Sequence, residues 1–147
     1  MFTDGSNQNG TSRELARAGW GVFYANCSSH NTASKLHGPV QTPYRAELRA
    51  LLHVVKTASD RVLVMCHCKS VVNTFQDYRL HGRRRCGKLQ EEDSWEQIVD
   101  ILDNREELVR IQWMPSHLDD PKNSHKKEQA LPYGLISGED IEGNVQA

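Results

Sequence analysis

Residues Gln41–Ala58 read QTPYRAELRALLHVVKTA, and within them Leu48, Leu51, Leu52 and Val55 recur at helical spacing behind Pro43. A proline is tolerated in the first turn, where its missing N–H would have no partner anyway, so the pattern predicts a helix over Tyr44–Ala58. Glu47 falls one turn inside, on a face shared with Leu51 and beside the apolar stripe, which makes it an unusually buried carboxylate. Upstream, Ala18–Asn26 (AGWGVFYAN) alternates and is rich in aromatic and branched types, a strand pattern, and Phe2-Thr3 reads as the tail of another strand cut short by Met1. Downstream, Val62–Cys68 (VLVMCHC) suits a buried strand, Ser70–Tyr78 a short helix, and Ser94–Asn104 a helix capped by Asp93 or Ser94 with Trp95, Ile98, Val99 and Leu102 on one face. Val109–Met114 (VRIQWM) alternates as a strand until Pro115 stops it, and Ser116–Asn144 reads mostly as loop, broken by Pro121, Pro132, Gly134, Gly138 and Gly143. Strands first, then helices alternating with single strands, is the order of an α/β layer fold.

At 147 residues, 37% hydrophobic and 25% charged, the chain has room for one domain with its own core and is too apolar for a disordered segment. No apolar run approaches the roughly 18 residues of a membrane span, and Met1–Gly10 lacks the basic then apolar build of a signal peptide, so an intracellular chain, in cytoplasm or nucleus and without a membrane partner, is the expectation. Cys27, Cys66, Cys68 and Cys86 are too few and too irregular for a disulfide framework and read as free thiols. Eighteen basic against nineteen acidic residues leave a net charge of −1, so a polyanion would have to be held by a local patch. Arg79, Arg83, Arg84, Arg85 and Lys88 supply one between the second and third predicted helices, loosened by Gly82 and Gly87; such a run is also what a solvated loop looks like.

The residues with chemistry sit at strand ends. Asp4 in Thr3-Asp4-Gly5-Ser6 follows the first strand, and Gly5 would let the backbone come close to a ligand. On spacing alone, a turn aspartate and a helix-start glutamate favoured by the dipole account for Asp4 and Glu47 equally well. Cys66-His67-Cys68 with His117 and His125 suggests zinc, but in a strand the cysteines face one side and His67 the other, which keeps the three from converging. Trp20, Trp95 and Trp113 each fall on an apolar face and read as core.

Taken in order, FTDGS (2–6), AGWGVFY, QTPYRAELRAL (41–51), CKSVV, DSWEQIVDIL, WMPSHLD (113–119) and the final GNVQA closely resemble the type 1 ribonuclease H family, over essentially the whole chain and in the manner of its retroelement-derived branch. The resemblance implies a five-stranded mixed sheet flanked by helices and cleavage of the RNA strand of RNA/DNA hybrids by two Mg²⁺ ions held by four carboxylates. Two divalent cations roughly 4 Å apart repel strongly, and anionic oxygens must offset that charge. By the resemblance, Asp4 is the carboxylate that bridges the metals and Glu47 the second. The third position is His67, and the fourth aspartate would fall one residue beyond Ala147. Imidazole adds no negative charge and suits Mn²⁺ or Zn²⁺ better than Mg²⁺. The expectation is therefore a retained fold, truncated at both ends, with weakened metal binding and an impaired nuclease.

The same resemblance casts His117 as the mobile-loop histidine that assists proton transfer or product release, and Arg83, Arg84, Arg85 and Lys88 as a basic protrusion gripping DNA phosphates. Ser6, Asn9, Gly10, Gln41 and Thr42 are candidates for contacting sugar hydroxyls across the hybrid's minor groove. The expected partner is an RNA/DNA hybrid, bound by a monomer. The rival is a module, or a fragment of a polyprotein, that binds hybrids without cutting them. Asp119, Asp120, Glu139, Asp140 and Glu142 lie farther along, and nothing in their spacing singles one out as a ligand.

Overall fold

The computed structural model describes residues 1–12, 14–83 and 91–115. Eight elements follow in chain order: strands β1 (Phe2–Gln8), β2 (Arg17–Phe23) and β3 (Thr32–Lys35), helix α1 (Pro43–Thr57), β4 (Val62–Cys66), α2 (Lys69–His81), α3 (Glu92–Asp103) and β5 (Val109–Trp113). The strands form one sheet in the order β3-β2-β1-β4-β5. β1, β2 and β3 pair antiparallel, whereas β4 runs parallel to both β1 and β5. The sheet is thus five-stranded and mixed.

The helical stripe read from the sequence does what its spacing requires. Leu48, Leu51, Leu52, Val54 and Val55 of α1 are buried against Val22 and Val64 of the sheet and against Trp95, Ile98 and Val99 of α3. Thr42 caps α1, its Oγ1 accepting from the Arg45 N–H at 3.1 Å, and Pro43 opens the first turn. Arg45 reaches from α1 to Glu91 and, at 2.6 Å, to Asp93, joining the starts of α1 and α3. Tyr78 donates to Asp103 across the other end of the α2–α3 pair.

Several boundaries differ from the sequence reading, each for a local reason. β1 is not a two-residue tail: the weak strand formers Gly5-Ser6-Asn7-Gln8 are held by pairing with β2 along the whole register from Phe2↔Phe23 to Gln8↔Arg17. Asp4 is therefore inside a strand. β2 stops at Phe23 because the Tyr24 N–H turns to the Asn31 side chain at 2.8 Å. β3 (TASK) escapes a hydrophobic pattern because it is a short edge strand, mostly exposed. β4 ends at Cys66, which leaves His67 and Cys68 outside the strand. α2 runs on to His81 and closes on Gly82 at φ 74°, and α3 starts at Glu92 behind Glu91 in the left-handed region, not at Asp93 or Ser94. Trp95 is fully buried and Trp20 packs against the core, but Trp113 is 43% exposed, because β5 carries it past the helical layer.

Gly5 is the tightest point between sheet and helix. A Cβ there would lie 2.7 Å from the Glu47 nitrogen, 2.9 Å from the Pro43 oxygen and 3.0 Å from the Ala46 Cβ. The close approach that the sequence assigned to a ligand is made by α1 itself. Two of these neighbours are backbone atoms that no rotamer change can move aside, so Gly5→Ala is expected to destabilise the chain by about 1–3 kcal/mol, measured by urea denaturation. An unchanged midpoint would contradict this packing account.

Candidate active site

Three elements bring three side chains together. β1 supplies Asp4; α1, seated on Gly5, supplies Glu47; and the residue following β4 supplies His67. In the parallel ladder Thr3 pairs with Cys66, so the next residue on each chain, Asp4 and His67, are neighbours. His67 Nε2 stands 3.0 Å from Asp4 Oδ1 and 2.9 Å from Glu47 Oε1. One imidazole N–H is thus shared between two carboxylates. The shell is graded: the Glu47 side chain is 3% exposed, His67 20% and Asp4 34%, so the cluster opens to solvent on the Asp4 side. His67 Nδ1 is buried and finds no hydrogen-bond partner among the described residues.

The electrostatics follow from this geometry. Hydrogen bonds to Asp4 and Glu47 outweigh desolvation and raise the imidazole of His67 from 6.5 to about 10, so it is a cation at neutral pH. Burial pushes Glu47 upward, more than the pull of His67 brings it down. The Glu47 carboxylate also receives the Gly5 backbone N–H. The Cys66 thiol lies 3.9 Å from Glu47 Oε2, and burial together with that carboxylate keeps it protonated. Cys66 is therefore a thiol in the metal-free chain, and neither it nor Cys68 belongs to the group of metal-type side chains that the described residues draw together.

This donor set does not fit a pair of Mg²⁺ ions. Such ions ask for oxygen ligands, and two of them need several negative charges. Here one oxygen of each carboxylate already accepts from His67, and the third group is a nitrogen carrying a proton. With both carboxylates ionised the cluster bears one net negative charge. Among the described residues, Asp4, Glu47 and His67 are the one group of three or more metal-type side chains drawn together.

The other expected residues fall into distinct surroundings. Ser6 is exposed on β1 opposite Gly19 and lines a cleft of about 800 Å³ with Arg17, Lys35 and His37. Asn9, at φ 55°, and Gly10 form an exposed turn. Gln41 spends its amide on the backbone, accepting from Ala18 N–H at 2.8 Å and donating to Leu36 and Gly38 oxygens, while the Thr42 hydroxyl is occupied in capping α1. Arg83 is exposed but forms ion pairs with Asp100 and Asp103 of α3. Arg84, Arg85, Lys88, His117 and His125 lie outside the described residues.

Two neighbours of the cluster escaped the sequence reading. The Trp113 indole N–H donates to the His67 oxygen at 3.1 Å and so fixes the backbone beneath the imidazole, and Lys69 Nζ sits 5.6 Å from the Trp113 ring centre. Strand alternation groups Trp113 with Val109 and Ile111; only its place at the strand end separates it from the core. A pocket of about 640 Å³, lined by Gly5, Thr42, Tyr44, Glu47, His67 and Ser70 among others, opens beside the cluster.

Comparison with known proteins identifies the family and the fold. The sequence profile of the RNase H family matches residues 1–130. The solution structure of the PFV RNase H domain superposes with a TM-score of 0.59 at 20% identity, covering 98% of this chain and 92% of that one, a likeness of fold. No curated protein matches the chain.

The sign of the His67 shift sets a pH dependence. Its folded value lies above its unfolded one, so the stability it contributes is complete below about pH 6.5 and is lost as pH rises through about 10. The difference in unfolding free energy between wild type and His67→Asn should therefore shrink between pH 7 and pH 10 in urea titrations. A difference that stays constant over that range would contradict the shared-proton geometry.

Proposed function

This chain belongs to the RNase H family, and from that premise we propose that it binds RNA/DNA hybrids and that its Mg²⁺-dependent cleavage of the RNA strand is strongly weakened. The observation that carries the second half is His67 Nε2 lying 3.0 and 2.9 Å from the two carboxylates. Mg²⁺, where the family uses it, stabilises the attacking and leaving oxygens of phosphodiester hydrolysis. In this chain the residues that would hold it hold a proton instead.

The first half rests on surfaces that do not need the metal. Ser6 and the Asn9-Gly10 turn are exposed at one end of the sheet, next to a cleft in which Arg17, Lys35 and His37 outnumber the one acid, Glu14. This is the composition that contacts phosphates and sugar hydroxyls. Arg83 begins the basic run completed by Arg84, Arg85 and Lys88, and its pairing with Asp100 and Asp103 anchors the start of that run on α3. Gln41 and Thr42 act at one remove, holding the backbone before α1 in place. His117 has work to do only where cleavage proceeds.

Fluorescence anisotropy in EDTA is expected to show hybrid bound more tightly than duplex DNA, with affinity falling steeply as salt rises. In Mg²⁺, His67→Asp should cleave at least about tenfold faster than wild type, since an anionic oxygen replaces a protonated nitrogen. Wild-type cleavage as fast as that of His67→Asp would overturn the weakened-enzyme reading. Equal affinity for hybrid and duplex DNA would overturn the binding reading.

A further inference from the structure

We infer that the Asp4–Glu47–His67 cradle is a site for a single imidazole-accepting divalent transition ion of the Zn²⁺ class, bound in exchange for the proton on His67 Nε2. The donor atoms are already assembled. One ligand atom from each of Asp4, Glu47 and His67 lies within 4.8 Å of the other two, and His67 Nε2 stands 3.0 Å from Asp4 Oδ1 and 2.9 Å from Glu47 Oε1. Donors bound at about 2.0–2.1 Å to one tetrahedral ion stand roughly 3.3 Å apart. An opening of a few tenths of an ångström brings the two nitrogen–oxygen edges to ligand spacing, and the third edge, between the carboxylates, already lies within 4.8 Å.

The exchange balances. The Nε2 proton leaves to solvent, the nitrogen lone pair binds the ion, and the carboxylates keep their charge. Two carboxylates, a neutral imidazole and one M²⁺ sum to zero when both acids are ionised. A second ion would leave the cluster at plus two, with no further metal-type side chain in the group among the described residues. One ion is therefore favoured over a pair, and the nitrogen donor favours Zn²⁺ over Mg²⁺.

Surroundings of the cradle support the same assignment. Glu47 is held by burial on α1, and its distal Oε2 faces the protonated Cys66 thiol at 3.9 Å, an outer-shell donor of the kind that orients a ligating carboxylate. Trp113 steadies the His67 backbone. The partly exposed Asp4 and the pocket beside Glu47 and His67 leave room for water at a fourth position, the arrangement of an open zinc site.

The inference stands on the cradle alone and goes beyond hybrid binding, so the two fail separately. It is tested on the full, metal-stripped chain with Co²⁺ as a spectroscopic stand-in for Zn²⁺, alongside calorimetric titration with Zn²⁺ and Mg²⁺. The expected result has three parts: one equivalent of Co²⁺ with ligand-field bands of a nitrogen/oxygen site and no thiolate charge-transfer band; one Zn²⁺ bound, with Mg²⁺ at least a hundredfold weaker; and at least tenfold weaker Zn²⁺ binding in His67→Ala. Asp4→Asn, which keeps the side-chain volume, should weaken Zn²⁺ binding likewise and covers the case in which His67→Ala does not fold. Absence of binding, binding untouched by a folded variant, or a thiolate spectrum that assigns the ion to cysteines would each overturn the inference.

Discussion

The contact on which the rest depends is the seating of α1 on β1 at Gly5, where the helix backbone comes so close that no Cβ fits between. The constraint is steric. Because Glu47 contributes the nitrogen nearest to Gly5, its side chain is delivered next to Asp4, the preceding residue on β1. The apolar stripe of α1 then clamps this geometry by packing into the core shared with β4 and α3. Close packing, not any attraction between charges, places two carboxylates beside one another.

Two acids placed together by packing need a cation. In the RNase H family metal ions meet that need; in this chain His67 does so from within, projected from the end of β4 into the gap. An internal cation costs little configurational freedom, since Trp113 and the β1–β4 ladder already hold its backbone. The cost lies elsewhere. Nδ1 is left buried without a partner among the described residues, and each carboxylate has one oxygen occupied before any ligand arrives. Hydrogen bonding of this strength between groups of opposite charge outweighs the desolvation it requires. Proton and metal thus compete for the same atoms.

Much of this was legible in the sequence. The spacing of Leu48, Leu51, Leu52 and Val55 gave the central helix, and its relation to Glu47 gave a buried carboxylate. The ordered motifs supplied the family and the mixed sheet. What propensity could not reveal is held by long-range pairing: the length of β1, which depends on β2, and the existence of β3, a polar edge strand. Nor could alternation tell that β4 ends one residue before His67, freeing it to turn toward the acids, or that Trp113 would lie beyond the helical cover. Gly5 suggests room for a ligand in the sequence, whereas α1 fills that room, because a glycine's sequence context does not say what approaches it.

The most direct measurement is ¹⁵N-detected NMR of the His67 imidazole in EDTA at pH 8. The account predicts a ring protonated on both nitrogens, with its signals unchanged down to pH 6 and moving only as pH climbs toward about 10. A neutral ring at pH 8, titrating near the ordinary histidine value of about 6.5, would mean that His67 is not the cation between Asp4 and Glu47, and the account would fall.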